Sequence, residues 1–231
     1  LFVNQARVRG AGQIGLNILD IENSSGVPGT PAVIESSHVG ATLWVDPAAG
    51  GVLNDGILRA SAGVLSLTSG TFTQTNAGAI ELSGSDPNAR IEMSGAKIVG
   101  GTVRQTAFGV NNFIDLINNT ELNAISAVGA RLRVPTAHTV HLVGTSTLDA
   151  TSTIFMNSVA STTSIQPASG ELSATLAGAG GVVMSASANN YVRAGTAGQA
   201  FTNNLGGGIV GSGQIGANTL VVTNNTFIEA S

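Results

Sequence analysis

Leu220-Val221-Val222-Thr223-Asn224-Asn225-Thr226-Phe227-Ile228-Glu229-Ala230 is an alternating apolar stretch, an Asn-centred turn, and a second apolar step that closes on Ala. The same figure recurs from Ile114 to Ala124 around Asn118 and from Val52 to Ala60 around Asn54. It recurs again from Phe72 to Leu82 around Asn76, and from Val140 to Ala150 with Gly144 in place of the first Asn. Alternation of period two marks half-buried strands, and Asn favours the bends between them. Asn54, Asn76, Asn118 and Asn224 are separated by 22, 42 and 106 positions, close to one, two and five times a unit of roughly 21. A fixed short period of this size is the mark of a repeat architecture. One turn of a β-solenoid, three short strands and three bends, needs about that many residues. The sequence therefore predicts an all-β parallel solenoid of about 10–11 turns, roughly 21 residues each, filling residues 1–231 as a single domain. Asn23 precedes Asn54 by 31 positions, so Ser24 to Ala32, with Pro28 and Pro31, reads as an inserted loop.

An isolated turn cannot bury its apolar side, so stacking must do it. The figure predicts one buried column of Ile57, Leu122, Leu148 and Ile228, and another of Ala60, Ala124, Ala150 and Ala230. Asn at a bend can pair its amide with the Asn of the next turn, as amides do in stacked sheets. The expected structural turn and ladder positions are Asn23, Asn54, Asn76, Asn118, Gly144 and Asn224. The rival architecture is an antiparallel sandwich, for which Asn54-Asp55-Gly56 would serve as a hairpin turn. Near-constant spacing favours stacked turns.

A longer similarity lies over the short one. Gly10-Ala11-Gly12-Gln13-Ile14-Gly15 returns as Gly211-Ser212-Gly213-Gln214-Ile215-Gly216, 201 positions on. The first copy is a literal G-x-G-x-x-G with Glu35 beyond it. A dinucleotide site would require a helix next. Leu16 to Asn23 runs instead into Ser-Ser-Gly-Val-Pro, so the motif reads as a Gly-rich bend and no cofactor is expected. His138 and His141 point to opposite faces of a strand, so no metal site is expected. One face position carries Arg59, Glu81, Glu229 and Glu35 but elsewhere Asn123 and Asp149, which reads as a solvated face. No catalytic residue is assigned.

Composition bounds the rest. Charged residues are 10% of the chain, apolar residues 42%, and the net charge is −4. That is too apolar for a disordered chain. The few basic residues are dispersed, so no nucleic-acid partner is expected. No apolar run reaches the length of a membrane-spanning helix. Cysteine is absent, which excludes disulfides and thiolate sites and is compatible with export. The sequence starts at Leu1 with neither Met nor a basic-then-apolar leader and stops at Ser231 within a recurring figure, so a section of a longer array is expected, with any signal peptide or anchor outside it.

Val8 to Gly15, Ile209 to Gly216 and the Asn-centred figure resemble the large β-strand-repeat surface proteins of bacteria. They are similar to the passenger regions of autotransporters and filamentous haemagglutinin-type adhesins. The resemblance implies a right-handed parallel β-helix, export to the surface or medium, and a role as stalk, filament, sheath or adhesive surface. Its implied partners are other copies of itself, head-to-tail or within a longer chain, and surface glycans. The rival functions are a β-helical polysaccharide lyase or hydrolase, which needs acids and an Arg on one face of consecutive turns, and a glycan-binding module.

Overall fold

The computed structural model describes every residue except Ser85 and Val110. The described residues form 27 strands and no helix. Strands early in the chain pair in parallel with the third strand after them, as Phe2–Asn4 does with Ile21–Asn23 and Val33–Ser36 with Ile57–Ala60, and many later ones with the second, as Arg131–Pro135 does with Thr153–Asn157 and Ser173–Gly178 with Ala200–Leu205. Parallel neighbours joined by so few residues, with no helical crossover, arise when the chain winds round and lays each turn on the last. The fold is a β-solenoid of about 9 turns, roughly 24 residues per turn.

That turn is longer than the 21 residues expected, because the corners vary. Phe2 pairs with Ile21, 19 positions on, while Gly12 pairs with Leu43, 31 on, and Gly144 with Ala174, 30 on. A figure recurring every 21 residues drifts against a turn of about 24 and changes face. The predicted columns therefore do not form. In the second half of the chain Leu122 registers with Leu142, Leu148 with Ala127, and Ile228 with Ile209, three separate columns. Ala124 sits at a bend with positive φ, and Ala150 and Ala230 are exposed.

The chain divides into two compact units, Leu1–Ile114 and Asp115–Ser231. The first is cored by columns read along the register. They are Ile21, Val52, Phe72 and Ile98; Ile34, Leu58, Ile80 and Val103; and Leu43, Leu65 and Ile91 beside Val45, Leu67 and Met93. All are buried. The second is cored by Val140, Ile165 and Val192, and by Leu132, Ile154, Val182 and Ile209. Burying a side chain of this size contributes about 1.5–3 kcal/mol, and each column exists only because turns stack.

Candidate functional site

Stacking also brings polar side chains into register, and two ladders result in the first unit. In the amide ladder, Asn4 Nδ2 donates to Asn23 Oδ1 at 2.7 Å, Asn23 Nδ2 to Asn54 Oδ1 at 2.6 Å, and Asn54 Nδ2 to Gln74 Oε1 at 2.5 Å. The same three donors reach the backbone carbonyls of Val33, Ile57 and Ala79, where the next strand begins. All four residues are buried. A buried amide is tolerated only when its groups are paired, and here each pairing crosses from one turn to the next. The ladder ends at Gln74, whose Nε2 is buried without a partner among the described residues.

The expected turn and ladder positions divide among several tasks. Asn23 and Asn54 are ladder members. Asn76 is an exposed turn residue at φ 46°, and its expected place belongs to Gln74, two residues earlier. Asn118 is likewise left-handed, at φ 53°, and its backbone N–H donates to His138 Nδ1 at 3.1 Å. Gly144, at φ 61°, is the corner within Thr139–Leu148 where pairing passes from Pro167 to Ala174. A positive φ in mid-strand favours glycine. Asn224 Oδ1 accepts from Asn203 Nδ2 at 2.7 Å, a ladder step that the sequence showed from one side only. Gln199 was missed as well. Its Oε1 accepts from Gly195 and Thr196 N–H, and its Nε2 donates to the carbonyls of Ala168 and Glu171, clamping a corner.

The second ladder is charged. Arg9, Glu35, Arg59, Glu81 and Arg104 stand in one register column on consecutive turns, alternating in sign. Arg59 Nε donates to Glu81 Oε1 at 2.6 Å and Arg104 Nε to Glu81 Oε2 at 2.5 Å. Glu35 is held by the Arg7 guanidinium on one oxygen and the Ser61 hydroxyl on the other. The expected solvated face is corrected for two of its members: Glu35 is 3% and Glu81 5% exposed, because Arg59 and Arg104 replace water around Glu81 and Arg7 and Ser61 replace it around Glu35, while Glu229 is exposed. Burial works to raise the Glu35 pKa, but the Ser61 and Arg7 hydrogen bonds and nearby positive charge hold it below the ordinary carboxylate value.

This column has the acid-and-arginine composition that a β-helical lyase or hydrolase would need. A general acid or base must reach a substrate proton. Both oxygens of Glu81 are already occupied by Arg59 and Arg104 within the column, and both of Glu35 by Arg7 and Ser61 beside it. Beside it, a cleft of about 680 Å³ lies under the loop from Ser25 to Pro31, with Asp55, Asn76 and Arg104 at its walls. The loop is the insertion expected between Asn23 and Asn54.

The glycines of the Gly-rich motif lie at positive φ in both copies. Gly10, Gly12 and Gly15 have φ of 144°, 120° and 96°, and Gly211, Gly213 and Gly216 have 117°, 159° and 90°. After Gly15 the chain enters a tight turn, with Leu16 and Asn17 at positive φ and Ile18 N–H donating to Gly15 O at 2.9 Å. The helix start required for a pyrophosphate is not formed there.

Fold and ladders together define a parallel β-solenoid whose polar side chains are ordered into cross-turn rows. Compared with family models, curated proteins and solved structures, the chain matches none of them.

Proposed function

We propose that this chain is a structural, non-enzymatic β-solenoid segment of an extracellular bacterial surface protein, serving as a stalk, filament or sheath. The amide ladder carries the reading. Its side chains, together with the charged column, serve to join one turn to the next, which is what a load-carrying rod requires. Repeat solenoids gain stability by nearest-neighbour stacking, so the design extends with length. The resemblance to autotransporter passengers and haemagglutinin-type adhesins supports a place outside the cell, with which the absence of cysteine is compatible. Other copies of the same protein are the proposed partners, with parallel strand edges as the means of continuation. No helix among the described residues is long and apolar enough to cross a membrane.

Negative-stain electron microscopy over a range of protein concentrations tests this. Rods that lengthen with concentration into uniform fibres are expected. Discrete particles of one size at every concentration would remove the filament role.

A further inference from the structure

One surface of the second unit carries chemistry that the stack does not require. On Glu121–Asn123, Thr139–Leu148, Thr163–Pro167 and the ends of Gly181–Arg193 and Ile209–Ala217, the inward residues are Leu122, Val140, Leu142, Ile165 and Val192. The alternate, outward positions form two rows. Glu121, His141 and Gln166 are in direct register, and Arg193 extends the row by donating Nε to Gln166 Oε1 at 3.2 Å. In the second row Tyr191 pairs with Gln214, whose Nε2 donates to the Tyr191 hydroxyl at 3.1 Å. The Arg193 guanidinium lies 6.0 Å from the Tyr191 ring centroid.

The fold does not dictate these residues. In the first unit, the outward row on the strands that bear the amide ladder is Val3, Glu22, Leu53 and Thr73. There Val3 and Leu53 are 45% and 46% exposed. Aliphatic side chains thus satisfy that outward position. The second unit instead presents a carboxylate, an imidazole, amides, a guanidinium and a phenol in adjacent rows.

Neighbouring strands are about 4.8 Å apart, so the rows from Glu121 to Gln214 extend over roughly 19 Å. A face of that length spans several rings of an extended sugar chain. Glu121 and Arg193 offset each other, and burial holds the His141 pKa below its ordinary value. A charge-balanced face rich in planar hydrogen-bonding groups suits an uncharged, hydroxyl-rich ligand better than a polyanion. The Tyr191 ring offers an apolar platform with a polar tip. Arg193 engages Gln166 through Nε, and the guanidinium carries further N–H donors on its two Nη groups.

We propose that this outer face of the second unit binds an extended uncharged polysaccharide laid across successive turns, with Tyr191 as the platform and Gln166, Arg193 and Gln214 meeting its hydroxyls. The site is independent of the structural role proposed above.

Native affinity electrophoresis of the full chain tests it, in gels containing xylan, mannan or mixed-linkage β-glucan, with polygalacturonate as the anionic comparison. Retardation by at least one neutral polymer is expected. Tyr191→Ala should weaken it at least tenfold and Gln214→Ala severalfold, while Thr73→Ala in the first unit leaves it unchanged. Thermal melting followed by circular dichroism checks that each variant is folded. Gln214 is exposed, so its truncation keeps the test sound if Tyr191→Ala unfolds. Absence of retardation by every neutral polymer overturns the proposal. So does retardation that survives both substitutions, or retention by polygalacturonate alone that salt abolishes.

Discussion

Asn54 shows at single-residue scale how a short polar side chain can hold a fold. It accepts from Asn23 at 2.6 Å and donates to Gln74 and the Ala79 carbonyl. Asn54→Ala removes those bonds and leaves the Asn23 amide, the Gln74 oxygen and the Ala79 carbonyl short of a partner inside the stack. Stranding buried polar groups costs about 1–3 kcal/mol each before relaxation. A total loss of about 3 kcal/mol is expected, read from urea unfolding midpoints. Thr73→Ala, on the outward row, should stay within about 0.5 kcal/mol of the wild type. Asn54 was legible in the sequence because it sits at the bend of a recurring figure. Gln74 was not, because Asn76 two positions later has the more familiar turn chemistry and drew the ladder position to itself. The decisive difference is backbone conformation: Asn76 is left-handed, whereas Gln74 ends a strand with its side chain directed inward.

At the scale of the element, a column of alternating charge makes one face sensitive to acid. Glu35 is held below the ordinary carboxylate pKa of 4.5 despite its burial. A carboxylate whose pKa is lower folded than unfolded contributes stability above its unfolded value and loses it as pH falls through its folded value. The stability gap between wild type and Glu35→Gln should therefore be full at neutral pH and shrink towards zero below about pH 4.5. Melting temperatures of both proteins, taken stepwise into acid, measure it. A gap that stays constant with pH would mean that the carboxylate charge plays no part. Strands were legible from their alternation, and Glu35, Arg59 and Glu81 were placed at one face position, but Arg9, Arg104 and the pairing of charges across turns were not. Arg9, Glu35, Arg59, Glu81 and Arg104 are separated by unequal intervals, since each interval contains a corner of its own length. Glu121, His141, Gln166 and Arg193 were hidden for the same reason. Local periodicity reports which residues point inward, while register across turns is set by loop lengths that no local pattern encodes.

For the whole molecule, each turn contacts chiefly the turns beside it, so damage should spread by neighbours and fade. Hydrogen exchange on Asn54→Ala should show faster exchange in Val52–Asn54 and in the adjoining Ile21–Asn23 and Thr71–Gln74. Ala200–Leu205 should keep wild-type rates. Uniform acceleration along the chain would indicate one cooperative block in place of a chain of neighbours. The amide ladder also has a direction. Asn4 gives to Asn23, Asn23 to Asn54, and Asn54 to Gln74, always from the earlier turn to the later. During synthesis the earlier turn is made first, so its unsatisfied N–H waits at the growing edge for the oxygen that the next turn delivers. Each arrival quenches one waiting donor and sets out another. The row then works as a ratchet, rewarding the turn that comes next in sequence and giving a misordered turn nothing to dock on.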